Sequence, residues 1–521
     1  MMNDGSGYVA KRYSQLESNR DSFLERAREA AELTIPYLMP PEGHTGSTVY
    51  KTPFQGIGAR GVNNLASKLL LSLVPPNSPF FRLSIDDFDL AALGDTGRGA
   101  VEEALGRIER AAQQEIETSA VRVPVFEAIK QLIVAGNALV YLPKKDGMKV
   151  FRLDRFVCHR DTMGNLLEII TKEAVAFDML PDSVKELLKQ EDNQEQSTHK
   201  SLDLFTYVCR KDKKWEVYQE VMGVEVPDSR GSYAEDKNPF IPLRFSRIDG
   251  ESYGRGFVEE YIGDLKSLES LTQAIVEGSA ASSKVLFLVR PNGTTKARDL
   301  AKSPNGAIVN GDANDISTLQ VQKASDFNVA AQTIQAITER MSFAFLLNSS
   351  VQRSAERVTA EEVRYMAQEL ETALGGVYSI LSQEFQYPLV NLLLGRMEQS
   401  GKMPKMPKDA VKPTIVTGME ALGRGQDLNK LATFLQYLQP LGAEVIQSEV
   451  NIGDYIDRLA ASLGIDTQGL IRSPEQKQAE QEAAQQQQQQ QMMQGTMADM
   501  ATKAAPQMAK SAGEAMQPPQ E

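Results

Sequence analysis

The sequence predicts an α+β protein, predominantly helical, on three observations. Long stretches carry apolar residues three and four apart, a middle region shifts to a period of two, and a short β-rich insertion separates two long helices. At 521 residues the chain exceeds one ordinary core, so several cores, or an elongated molecule with long helices tying regions together, are expected.

Helical spacing runs from Ser14 to about Ile35, where Pro36 stops it, and from Gly56 to Val74, ahead of Pro75 and Pro76. Further helices are expected at Val101–Thr118 and Val125–Ala135, and Pro40–Pro53, rich in Pro, Gly, Ser and Thr, reads as a loop. From Ala138 to about Ile248 the pattern is α+β. Strand-like runs occur at Leu167–Phe177, Leu204–Val208, Lys214–Val221 and Pro239–Ile248, with an exposed loop at Gln190–Lys200. A long helix begins after Gly250, its apolar stripe running from Phe257 and Val258 through Leu265, Leu268 and Leu271 to Ile275 and Val276. The other face carries Glu259, Glu260, Asp264, Glu269 and Glu277 against Arg255 and Lys266, which reads most simply as a solvated acidic face.

The insertion follows, with a strand at Val285–Val289, a turn at Pro291-Asn292-Gly293, and β-like runs at Gly306–Val309 and Leu319–Val321. Lys284, Arg290, Lys296, Arg298 and Lys302, opposed only by Asp299, make its first half basic. Such a patch serves either solubility or contact with phosphate or an acidic partner. A second helix, Asp326–Leu347, returns from it. Asn348–Val358 is polar and turn-like and holds Arg353 and Arg357. Thr359 and Glu362 then form a capping box for one long helix through Met366, Leu370, Val377 and Phe385, bent at Gly375-Gly376 and Pro388. Thr414–Gly425 reads as a turn-rich connection and Asp427–Leu463 as short helices broken at Pro440 and Gly453. The end from Gln476, including Gln485–Gln491, reads as mostly disordered.

A net charge of −13 argues against tight wrapping of nucleic acid, so any DNA is expected to be handled loosely. Cys158 and Cys209 cannot make a disulfide framework and fit a reducing compartment. Runs such as Leu69–Val74 fall short of the roughly 18 to 20 residues of a membrane span, and Met1–Ala10 has no apolar leader core, so no membrane is expected. A nucleotide motor would need a glycine-rich loop ending in Gly-Lys-Ser/Thr, and none is present. Gly56-Ile57-Gly58-Ala59-Arg60-Gly61 offers the glycines of a dinucleotide loop without the strand that should precede it. Adjacent Cys158 and His159 lack zinc-ligand spacing and read as packing residues. Glu259-Glu260 and Glu361-Glu362 diverge by about 100° on a helix and cannot flank one substrate. No catalysis, metal or cofactor is expected.

Thr52-Pro53-Phe54-Gln55-Gly56-Ile57-Gly58-Ala59-Arg60-Gly61, continuing through Val62-Asn63-Asn64-Leu65-Ala66-Ser67-Lys68, resembles the portal, or head-to-tail connector, family of autographivirus-type podophages. Asp249-Gly250-Glu251-Ser252-Tyr253-Gly254-Arg255, Ser342-Phe343-Ala344-Phe345, Val351-Gln352-Arg353, Glu356-Arg357-Val358-Thr359-Ala360-Glu361-Glu362 and Leu374-Gly375-Gly376-Val377-Tyr378 are similar to the same family, in its order, from about residue 12 to 475. The resemblance implies a portal fold in a ring of twelve at one capsid vertex. Its parts would be a wing (1–250), stem helix (251–283), clip (284–325), second stem helix (326–347), tunnel loop (348–358), long kinked helix and wing return (359–425), crown (426–475) and tail (476–521). It further implies double-stranded DNA in the channel, with Arg340, Arg353 and Arg357 as contact candidates, or alternatively as partners of Glu356, Glu361 or Glu362 in salt bridges between subunits. Lys284, Arg290, Lys296, Arg298 and Lys302 become candidates for docking the terminase large subunit and then tail adaptor proteins. Major capsid, scaffolding and internal core proteins are the other implied partners, and the location is the virion vertex, reached from the host cytoplasm. A helical scaffolding or tail-adaptor protein is the competing reading, which the β insertion disfavours; a metal-dependent nuclease is a distant third for want of ligands.

Overall fold

The computed structural model describes residues 7–459 apart from 77–78, 86–93, 145, 192–200, 283–285, 320–323, 348–359, 404–413, 418–423, 443–445, 447, 451, 454 and 457–458. Lys284, the Asn348–Val358 segment with Arg353 and Arg357, Thr359, most of the Gln190–Lys200 loop and the Gln-rich end therefore lie outside the described residues. The chain divides after Gln426 into two compact units, residues 1–426 and 427–521.

Helix α1 (Tyr8–Glu32) sets Val9, Tyr13, Leu16, Arg20, Leu24, Ala27 and Ala31 on one buried stripe. Its start has no side-chain cap of its own; the Glu220 carboxylate accepts from the Val9 and Ala10 amides at 3.1 and 3.3 Å and does that work. Helix α2 (Ile57–Leu73), strand β1 (Phe81–Ser84), and helices α3 (Gly94–Thr118) and α4 (Arg122–Ala135) follow. The β-rich region comprises β2 (Asn137–Tyr141), β3 (Lys149–Phe151), β4 (Phe156–Arg160), β5 (Leu166–Ala176), helix α5 (Asp182–Glu191), β6 (Ser201–Lys211), β7 (Lys214–Val221), β8 (Val224–Glu225), β9 (Gly231–Ala234) and β10 (Phe240–Arg244). Pairing is antiparallel throughout, in the order β4-β5-β6-β7-β8 with β9 also on β7, and β10-β2-β3 in a second sheet.

Ile169 and Ile170 of β5 are both buried because both faces of the larger sheet are covered. Ile169 joins the main core, which runs from Leu24 to Met397, and Ile170 joins a second core with Val9, Tyr13, Tyr207 and Tyr218. Helix α1 reaches into both, so it ties the sheet to the helical body. Cys158 lies in the main core and Cys209 in the second; both are free and buried, consistent with packing roles.

Beyond the sheet come α6 (Phe257–Glu260), α7 (Ile262–Ser282), β11 (Leu286–Val289), α8 (Ala297–Lys302), β12 (Ile316–Leu319) and α9 (Ala324–Ala344). Then follow α10 (Ala360–Ala373), α11 (Val377–Leu381), α12 (Tyr387–Gln399) and β13 (Thr414–Thr417), with α13 (Arg424–Leu438) across the division between units. Five sequence expectations change. The helix entering the insertion is broken at Tyr261 into α6 and α7. Gly306–Val309 forms no strand, because Ala307 N donates to Pro304 O in a turn with Gly306 at φ +85°; β12 pairs with β11 instead, Leu286 opposite Leu319. The kinked helix is interrupted at Gly375 and Gly376, at φ +59° and +92°, values that end an α-helix. Pro388 makes no second break: it falls in the first turn of α12, directly after the π-turn Ser382–Gln386, where a missing amide is tolerated, and the helix continues. Finally, Thr414–Thr417 is a strand inside the expected connection, pairing β1 across the whole chain, Phe81 opposite Thr417.

Candidate functional surfaces on the paired helices and insertion

The approach to α6 is fixed from the sheet side. The Asn137 side chain donates to Gly254 O at 2.9 Å and accepts from Gly254 N at 2.8 Å, and the Cys158 amide donates to the buried Tyr253 hydroxyl at 3.0 Å. Arg255 then donates to Glu251 and Glu259 while lying 5.1 Å from the Phe23 ring centre. The Glu251 bond, with that to Glu259, holds the guanidinium above its ordinary pKa.

The acidic residues of α6 and α7 are mostly tethers rather than a solvated face. Glu259 also pairs with Arg26 of α1 at 3.1 Å, and Lys266 pairs with Glu29. Glu269 accepts from the Phe54 and Gln55 amides at 2.9 and 3.1 Å, just ahead of α2. Asp264 takes a bidentate pair from Arg340 of α9, at 2.6 and 2.9 Å. Glu260 is pushed above its usual pKa by burial and then by neighbouring Glu259. Arg340 is therefore engaged across the two helices within one chain, and its side chain remains 59% exposed.

The far end of α9 is anchored just as firmly. Phe345 is fully buried, edge-on to Phe257 at 5.3 Å, and the Asn64 amide donates to the carbonyls of Phe345 and Leu346, both at 3.0 Å. A Cβ at Gly61 would come within 2.5 Å of the Phe345 ring, so this glycine is needed for close approach. The glycines at 58 and 61 thus serve helix packing; a Cβ at Gly58 would meet Leu33 O at 2.6 Å. Asn64 lies within the expected Gly56–Val74 helix, but nothing in its local sequence points to a partner nearly three hundred residues on.

Toward the insertion, burial falls away. On α7 only Leu265 and Leu268 are buried, and Val276 is exposed; among the described residues of α9 burial is confined to Ile337 and Met341, while Val329 and Phe343 face solvent. Phe287 and Leu288 are consecutive on β11, point to opposite faces, and are both exposed, as is Ile308. A two-stranded sheet with neither face covered is marginal by itself. Inside the insertion Asp315 accepts from Thr295 N at 3.1 Å and Thr294 Oγ1 at 3.2 Å, and these bonds, the Thr295 amide first, hold its pKa below the usual aspartate value. Arg290, Lys296, Arg298 and Lys302 stand exposed around this hairpin. Among the described residues there is no group of His, Cys, Asp and Glu fit to hold a metal ion, and no helix is long and apolar enough to cross a membrane.

The chain is 45% identical to the portal protein of Escherichia phage T7 over 475 residues, covering 89% of this chain and 88% of that one. It is 46% identical to the portal protein of Enterobacteria phage T3, covering 90% and 88%, and 34% identical to that of Pseudomonas phage phiKMV, covering 89% and 92%. The family model for bacteriophage head to tail connecting protein matches residues 6–471, and the chain belongs to that family.

Proposed function

We propose that the chain forms the DNA channel at a single capsid vertex, as a closed ring of about twelve subunits, without enzymatic activity of its own. The observation that carries this reading is the helix pair with its hairpin. Val276, Val329, Phe343, Phe287, Leu288 and Ile308 are left uncovered on elements whose roots are rigidly anchored, as expected of surfaces that neighbouring subunits cover. In this reading α7 and α9 are the stem, the β11–β12 insertion the clip, residues 348–358 the tunnel loop and residues 426–475 the crown.

Charge fits the role. A wall that passes a polyanion must not hold it, and a chain of net charge −13 keeps phosphate affinity low. Arg340, whose outer edge is open, together with Arg353 and Arg357, supplies transient phosphate contacts. Arg290, Lys296, Arg298 and Lys302, with Lys284, form the docking surface for the terminase large subunit during packaging and for tail adaptors afterwards. The wing meets capsid and scaffolding proteins during assembly in the host cytoplasm, internal core proteins join from within, and the ring stays in the virion as the conduit for ejection.

Electron microscopy of the purified protein with mass photometry tests this. A closed ring of about twelve chains around a hole at least roughly 20 Å wide, enough for a grooved duplex, is the expected result. Monomers or open rods under assembly-permissive conditions would replace the channel with the scaffold or adaptor reading.

A further inference from the structure

One cleft lies away from the helix pair, between the end of β2, strand β9 and helix α12. Its volume is about 160 Å³, room for a single inserted side chain. Leu142, Pro239 and Leu392 supply apolar surface and Tyr233 an aromatic wall, while its charged lining residues are Lys144, Lys237 and Arg396, all cations. In a chain of net charge −13 that lining runs against the overall balance. Two of the cations are not locked away: Lys144 is exposed, and Lys237 reaches Glu398 only at 3.8 Å.

A second, independent feature narrows the ligand. Strand β9 pairs with β7 along one edge, Gly231 opposite Val217 through Ala234 opposite Lys214, and no other described strand joins its remaining edge. Ser232, Tyr233 and Ala234 of this strand line the cleft. An open strand edge offers main-chain donors and acceptors to another extended chain.

We propose that this cleft binds an extended acidic peptide segment of a partner protein, added as a strand to β9, with its carboxylates on Lys144 and Lys237 and one apolar side chain in the cleft. Nucleic acid would satisfy the cations but would leave the strand edge and the apolar floor unused. The site does not depend on the channel reading, because it is complete within one chain.

The test is fluorescence anisotropy on the full-length assembled protein with a short labelled peptide alternating Glu and Val around one Phe. The wild type should bind it, and Lys144→Glu with Lys237→Glu should weaken binding by about tenfold or more, as loss of charge-assisted contacts requires. The double variant should then bind the counterpart peptide with Lys in place of Glu. Methylating alternate peptide amides should also abolish binding, since strand addition needs them. Both lysines are surface side chains, and an unchanged thermal melt checks the fold; the single exposed change Lys144→Glu serves if the double variant misfolds. Absence of wild-type binding, binding indifferent to charge reversal, equal binding of the methylated peptide, or full competition by an oligothymidylate would each overturn the proposal.

Discussion

Asp315 shows how much of the insertion rests on one carboxylate. It ties the Thr294-Thr295 backbone to the start of β12, and its folded pKa lies below the unfolded value of about 3.9. The ionised form therefore stabilises the hairpin above that value, and this contribution is lost as pH falls through the lower, folded pKa. Asp315→Asn should remove the pH dependence and raise hydrogen exchange over residues 286–319 at neutral pH, while exchange in α2 stays unchanged. Gly61 is the second sensitive residue. Replacing it by Ala drives a methyl into the Phe345 ring and should cost about 1–3 kcal/mol in a thermal or denaturant melt. Neither role was legible beforehand. A lone Asp in a polar loop and a glycine in a Gly-rich run carry no sign of the partner that folding brings to them from residues 294–295 or 345.

At the scale of elements, the two helices flanking the insertion were readable as helices because their apolar spacing persists over many turns. What their acidic residues do was not. Asp264, Glu259 and Glu269 look like a solvated face in one dimension, yet each meets a donor from α9, α1 or the segment before α2. A double-mutant cycle of Asp264→Asn with Arg340→Ala should give a coupling of only about 0.2–1 kcal/mol, because the arginine is more than half exposed. A larger loss of DNA passage than of stability in Arg340→Ala would assign the side chain's outer edge to the channel. The break at Gly375-Gly376 is stricter. Alanine at both positions forces left-handed geometry on ordinary residues and should cost about 1–2 kcal/mol each, measured by the same melts.

For the whole molecule, an apolar, uncovered helix pair and hairpin with a cationic rim imply two different sets of contacts. In the proposed assembly the apolar surface would set subunit association, which is insensitive to salt, and the cations would set docking, which is not. Arg290→Glu, Lys296→Glu and Arg298→Glu together should leave the subunit count by mass photometry unchanged. In phage complementation the same triple variant should sharply lower the yield of DNA-filled heads. A change in subunit count instead would place these cations between subunits.

Helical periods, the β-rich middle, the insertion between two helices and the family motifs are local or collinear signals, and the sequence by itself determined them, together with membership of the head-to-tail connecting family. Tertiary structure decided everything that depends on pairing distant segments. The β1–β13 pair joins Phe81 to Thr417, the Glu220 carboxylate caps a helix beginning at Tyr8, and Asn64 closes the end of α9. None of these leaves a periodic trace, because a hydrogen bond between residues hundreds of positions apart constrains only the two residues that make it. The open edge of β9 beside three cations belongs to the same class: it exists only once the sheet and α12 have come together.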